Sequence, residues 1–161
     1  DVIRRVMEVN FFGALHCTRA ARPALLERRG TIVVIGSVAG LAPLATRAGY
    51  AASKHALHGF FESLRAEHLG DGLGVLLVDP AFVETAIGVH ALGPDGGPAR
   101  PGSRTGVAAA IRPEQVADAV LRALERRRRH LYVPWRAGLY VWLARLAPGW
   151  FARAMARRTA G

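Results

Sequence analysis

Two short stretches most constrain what this chain can fold into. Thr31-Ile32-Val33-Val34-Ile35 is a continuous β-branched run between Gly30 and Gly36, and Val75-Leu76-Leu77-Val78 is a second apolar run that ends at Asp79-Pro80. Neither alternates apolar with polar residues. That is the pattern of a strand buried on both faces, which belongs to parallel sheets covered by helices on both sides. Helical text surrounds the runs. Val6, Val9, Phe12 (beside Phe11) and Leu15 recur at three- and four-residue intervals and predict one long helix over 2–29, bent near its end by Pro23 and closed by Arg28, Arg29 and Gly30. A second helix is expected from about Ala48 to Leu69. Helix, strand, helix, strand is the rhythm of a doubly wound α/β domain, whose ligands sit beyond the C-terminal ends of the strands. Ser37 and Asp79-Pro80 fall at those ends.

The stretch from Gly88 to Ile111 is rich in Gly, Pro and Arg and reads as a long loop, a candidate to close over a substrate. Pro113 to Arg129 is expected to be a third helix, with Pro113 in its first turn, Glu114 near the positive end of its dipole and Arg126–Arg129 at the negative end. Leu131-Tyr132-Val133 would be a last short strand. From Trp135 to Arg158 the text is apolar and aromatic with Arg145, Arg153, Arg157 and Arg158 interspersed, and Pro148-Gly149 divides it into two short helices. The expected organisation is an α/β unit over 1–133 and a basic, aromatic helical tail over 134–161. Within the α/β unit, 1–87 is the catalytic segment, 88–112 the substrate loop, and 113–133 the helix and last strand.

At 161 residues, 51% of them hydrophobic and 21% charged, the chain has the profile of one globular core. It has no run of about 18 consecutive apolar residues and no secretory layout, so the expected location is the cytoplasm. Cys17 is alone, which excludes an intrachain disulfide, and the scattered histidines offer no metal-ligand spacing. No metal is expected. The text opens at Asp1 already in a helical pattern, so further sequence is expected upstream. A net charge of +10 fits nucleic acid, an anionic membrane surface or an anionic ligand, and decides nothing alone. Nearly all the basic residues are Arg. The single Lys is Lys54.

Lys54 follows Tyr50 by one helical turn, so both side chains leave the same face of a helix. A free phenol titrates at about 10 and is a poor acid–base catalyst at neutral pH, but an adjacent ammonium favours the phenolate. Lys54 is therefore expected to lower the pKa of Tyr50. Ser37, at the end of the preceding strand, offers a hydroxyl to hold a substrate oxygen against that phenol. The arrangement suits a carbonyl or an alcohol.

With Ser37, then Tyr50-Ala51-Ala52-Ser53-Lys54, and with Asn10 upstream in Val9-Asn10-Phe11-Phe12-Gly13, the chain resembles the short-chain dehydrogenase/reductase family in its Asn, Ser, Tyr, Lys tetrad. Gly30-Thr31-Ile32-Val33-Val34-Ile35-Gly36-Ser37 and Val78-Asp79-Pro80-Ala81-Phe82-Val83-Glu84-Thr85 extend the likeness, which covers Val2 to about Thr85. The resemblance implies the C-terminal portion of a Rossmann-like parallel-sheet domain. It also implies hydride exchange between a nicotinamide cofactor, NADP or NAD with NADP first, and a carbonyl carbon. Tyr50 would be the acid/base, Ser37 would orient the oxygen, Lys54 would tune Tyr50 and hold the nicotinamide ribose, and Asn10 would keep a water relaying protons from Lys54. Pro80, Val83 and Thr85 would shape the nicotinamide pocket. The family further implies homodimers or homotetramers built on the Asn10 and Tyr50 helices, and the apolar lining points to a lipophilic substrate. Two departures stand out. Ala81 replaces a customary Gly, which puts backbone freedom there in question. No Gly-x-x-x-Gly-x-Gly or Gly-x-Gly-x-x-Gly run exists to receive a pyrophosphate, so the nucleotide-binding units, and with them the residue that chooses NAD or NADP, are expected to be missing.

Plainer readings compete. A Tyr–Lys pair one turn apart decorates many helix surfaces, and it is Ser37 and Asn10 that single this one out. A hydrolase elbow would need Gly where Ile35 and Ala39 stand. His55, His58 and His68 read as solvated or packed polar groups, and Arg126–Arg129 as a solvated helix end with no nucleic-acid motif beside it. The tail would pack at a subunit contact or act as a lid, ahead of lying on a membrane. From another class comes a non-enzymatic basic module that binds an anionic membrane or nucleic acid through the Arg-rich C-terminal part.

Overall fold

A computed structural model describes residues 1–86, 92, 97 and 110–159, the side chains of 158 and 159 excepted. The chain opens with α1 (Val2–Met7), whose first turn is capped by the Asp1 carboxylate accepting the Arg4 amide at 3.4 Å. A π-helical turn over Glu8–Phe12 follows, closed by the Gly13 amide on the Glu8 carbonyl, and α2 (Gly13–Glu27) completes the element. Pro23 lies inside α2 without ending it. The one helical bond it cannot make is to the Arg19 carbonyl, and residues 24–27 continue the helix beyond it. The stop is made by Arg28 and Arg29: Arg29 takes φ 50° and the Gly30 amide reaches back to the Leu25 carbonyl at 2.7 Å, a Schellman closure with arginine in the seat glycine usually takes.

Among the described residues three strands, β1 (Thr31–Ile35), β2 (Gly74–Pro80) and β3 (His130–Val133), form one parallel sheet in that order. Thr31 pairs with Gly74 and Ile35 with Val78; Leu77 pairs with His130 and Pro80 with Val133. β2 is central and alternates between two helical layers. Val75 and Leu77 face α3 (Ala48–Glu67), where Leu57, Phe61 and Leu64 close over them. Leu76 and Val78 face α4 (Pro113–Glu125) through Val116 and Ala123. The continuous apolar run thus means what it does in any doubly wound sheet: both faces are covered. α4 stops at Glu125, so the arginines expected to finish it form an exposed turn instead, with Arg127 at φ 48°. Two helices follow β3, α5 (Ala137–Leu146) and α6 (Pro148–Thr159). Val141, Ala144 and Phe151 pack on Val38, Leu41 and Ala42, the short 3₁₀ turn and loop behind β1.

Phe61 lies at the centre of the α3 face, 1% exposed and edge-on to Phe60 at 5.1 Å. Truncation there removes a buried ring and leaves a cavity, so Phe61→Ala is expected to cost about 3–5 kcal/mol, read as a lower urea midpoint in equilibrium unfolding.

Candidate active site

The site begins where β1 stops. Gly36 turns the chain in, donating its amide to the Val78 carbonyl at 2.8 Å, and a Cβ there would run into the Asp79 carboxylate. Ser37 follows, buried. Its amide donates to Asp79 Oδ1 at 2.8 Å, and its hydroxyl accepts the Ala39 amide at 3.2 Å as the cap of the 3₁₀ turn Val38–Gly40. α3 crosses this turn closely because Gly40 has no side chain: a Cβ would stand 2.8 Å from the Lys54 carbonyl oxygen and 2.9 Å from His58 Cδ2. That approach brings the first turn of α3 over Ser37, with the Tyr50 phenol close enough for the Ser37 hydroxyl to favour its ionised form.

Lys54 Nζ lies 5.8 Å from the centre of the Tyr50 ring and donates to the Ile35 carbonyl at 2.9 Å. The expected lowering of the Tyr50 pKa by Lys54 is not what the structure shows. Burial pushes the phenol above its ordinary value; the Ser37 hydrogen bond and Arg47 act the other way, and the Asp79 charge adds to the rise. Lys54 is itself held below its ordinary value by burial, with Asp79 opposing. Spacing placed the two groups together, but desolvation outweighs their charges.

Asn10 occupies the π turn, an irregularity that frequently marks functional positions. Its Nδ2 donates to Ser53 Oγ at 3.0 Å, and the Ser53 hydroxyl donates to the Tyr50 carbonyl at 2.8 Å. Asn10 therefore meets α3 one residue before Lys54. Ser37, Tyr50 and Lys54 gather directly, and Asn10 joins them through Ser53. Pro80 is buried as the last residue of β2. Val83 makes a parallel bridge to Ile111 and packs with the α4-facing cluster, while Thr85 is exposed beyond it. Ala81 donates to the Val133 carbonyl at 2.8 Å and is not among the positive-φ residues, so the strain expected from losing a glycine does not arise. Apart from 92, 97 and 110–112, the proposed substrate loop lies outside the described residues.

A second cluster beneath Ser37 escaped sequence reasoning. On β2 the odd-numbered side chains face α3, which carries Asp79 to the same layer, fully buried. There His58 Nε2 donates to Asp79 Oδ1 at 2.9 Å and His130 Nε2 to Oδ2 at 2.5 Å. Burial raises the Asp79 carboxyl, but the hydrogen bonds from His130 and His58 and their charges outweigh it, and the group sits below its ordinary value. The one available signal was a carboxylate ending a buried strand, since a buried charge requires partners. Nothing local pointed to His58 and His130, which the sheet register and the α3 crossing bring in.

Fold and site are together those of a doubly wound α/β protein with a serine–tyrosine–lysine centre at its strand ends. The family model described as short chain dehydrogenase matches residues 1–92, and the chain belongs to that family. Dehydrogenase/reductase SDR family member 7B of Xenopus tropicalis is 41% identical over 168 residues, covering 98% of this chain and 52% of that protein. The chain spans about half the length of the curated relatives it matches. Among solved structures, a short chain dehydrogenase from Burkholderia cenocepacia in complex with NADP superposes with a TM-score of 0.77 at 27% identity, covering 96% of this chain and 59% of that one. One from Sphingobium yanoikuyae in complex with NADPH gives 0.70 at 25%, covering 98% and 55%.

Proposed function

We propose that the protein carrying this chain is an NAD(P)-dependent oxidoreductase that interconverts a carbonyl and an alcohol, NADP ahead of NAD. The observation that carries the reading is the gathering of Ser37 and the Tyr50 phenol at the C-terminal end of β1, with the Lys54 ammonium 5.8 Å from the centre of the Tyr50 ring. Ser37, fixed by Asp79 and Ala39, presents the substrate oxygen to the phenol. Tyr50 gives that oxygen its proton in reduction and takes it back in oxidation. A phenol held above its ordinary value stays protonated through neutral pH, the state a proton donor needs.

The residues fit one end of the cofactor. Lys54 would hold the nicotinamide ribose, and Pro80, Val83 and Thr85 would line the nicotinamide pocket. Bound there, the cofactor supplies or accepts the hydride at the carbon. The pyrophosphate end finds no glycine-rich loop in this sequence. Asn10, anchored on Ser53, keeps α1–α2 against the helix bearing Lys54 and is assigned the relay of protons from Lys54 to solvent. The NADP and NADPH in the two solved relatives support the cofactor class. A cytoplasmic homodimer or homotetramer built on α1–α2 and α3 belongs to the same proposal, supported by exposed Ile3 and Val9 on the first of these elements.

The test is turnover of the protein carrying this chain with NADPH or NADH against a panel of lipophilic ketones and the matching alcohols. Ketone-dependent loss of the reduced nicotinamide absorbance, faster with NADPH, is expected. Failure to turn over any carbonyl or alcohol with either cofactor overturns the reading.

A further inference from the structure

α5 is apolar on two opposite sides. Ala137, Gly138, Val141 and Ala144 are buried against the core, which leaves Leu139, Trp142, Leu143 and Leu146 pointing away from it with 44–77% of their surface exposed. These four follow one another at the spacing of a single helix face. Trp135, 67% exposed just before the helix, extends the stripe, and Trp150 at the start of α6 is exposed as well. A set of this size is more than the scattered surface leucines of an ordinary soluble domain.

Charge identifies what covers it. Arg136, Arg145, Arg153 and Arg157 are all exposed around this region, and Arg136 lies over the Trp135 ring at 5.6 Å. From Arg126 to the last residue the sequence contains no Asp or Glu. A second copy of the chain laid on this face would bring arginine against arginine without a counter-charge. Duplex nucleic acid would satisfy the arginines but leave the leucines in water. An anionic bilayer satisfies both: leucines enter the acyl boundary, indole rings settle at the headgroup level, and guanidinium groups meet the phosphates.

We propose that α5, with the start of α6, docks the protein onto an anionic lipid surface, through Trp135, Leu139, Trp142 and Leu146 and the surrounding arginines. The docking is independent of the reaction proposed above. Its buried side is the same α5 surface that packs on Val38, Leu41 and Ala42, so the lipid-facing helix backs the loop that follows Ser37.

The experiment is co-sedimentation of the full chain with vesicles of phosphatidylcholine alone and of phosphatidylcholine mixed with phosphatidylglycerol, with tryptophan emission recorded in parallel. Binding to the mixed vesicles is expected, with a blue shift of emission and a loss of affinity of about fivefold for each arginine removed by Arg145→Gln or Arg153→Gln. Trp142→Ser with Leu146→Ser should abolish the blue shift and weaken binding by at least about tenfold, with an unchanged circular dichroism spectrum showing that the fold survives. The proposal is overturned by the absence of binding to mixed vesicles, or by double-variant binding equal to the unmodified chain, which would leave only diffuse basic charge. It is equally overturned if the double variant changes the oligomeric state while vesicle binding is unaffected, which would make the stripe a contact between copies.

Discussion

Carbonyl reduction by the protein carrying this chain is expected to fall about 10²–10⁴-fold when Tyr50 is replaced by Phe, the range attributed to a positioned general acid. The substitution removes one oxygen and its proton and keeps the ring. Ser37 retains the Ala39 amide on its hydroxyl, and its own amide stays on Asp79. Lys54 remains tied to the Ile35 carbonyl. Folding and cofactor affinity should therefore be nearly unchanged, and the loss should appear in kcat rather than KM. Steady-state kinetics with the unfolding midpoint as control make the measurement. A Phe variant that reduces ketones at the parent rate removes Tyr50 from the chemistry.

The second large effect concerns stability. Asp79 accepts from the Ser37 amide, His58 and His130 at once and is itself fully buried. Asp79→Ala leaves these donors facing an empty space and is expected to cost about 3–5 kcal/mol, as for breaking a buried charged pair. Asp79→Asn keeps one acceptor oxygen but turns an N–H toward a histidine, and should cost less. The pH dependence has a definite sign. The folded carboxyl sits below its ordinary value, so its stabilisation is present above the unfolded value of about 3.9 and is lost as pH falls through the lower folded value. Urea midpoints measured from neutral pH into acid should show that decline in the parent and a weaker one in the Asn variant. Identical acid profiles would mean that the Asp79 carboxylate does not contribute in this way.

Much of this architecture could be read from the residues alone. The β1 and β2 runs announce their burial because a strand covered on both faces has no room for polar alternation, and the Tyr50–Lys54 spacing places both side chains on one face of a helix. What escaped depends on relations the spacing of residues does not encode. The π turn at Asn10 adds one residue to a helix without changing its composition. Arg29 and Arg127 occupy left-handed positions that rules based on glycine do not assign to arginine, so the residue pattern alone carries α2 to 29 and α4 to Arg129, whereas the helices end at Glu27 and Glu125. Proximity of Lys54 to Tyr50 was legible, whereas the burial that reverses the expected pKa shift is a property of the packed turn at Gly36–Gly40. Asp79, His58 and His130 come from β2, α3 and β3, and only the sheet register brings them to one layer.

β1 has a strand on one side only among the described residues. Beside it and α2 lies an open hollow of about 330 Å³, lined by Asn10, Thr18, Ile32 and Val34, with Cys17 on its wall. Cys17 is exposed and is the sole cysteine of the chain. The molecule therefore carries its own reporter for this flank: a thiol reagent should label it quickly while the hollow is open and slowly once any segment pairs with β1. Occupancy of a backbone edge becomes a labelling rate, obtained without altering a residue.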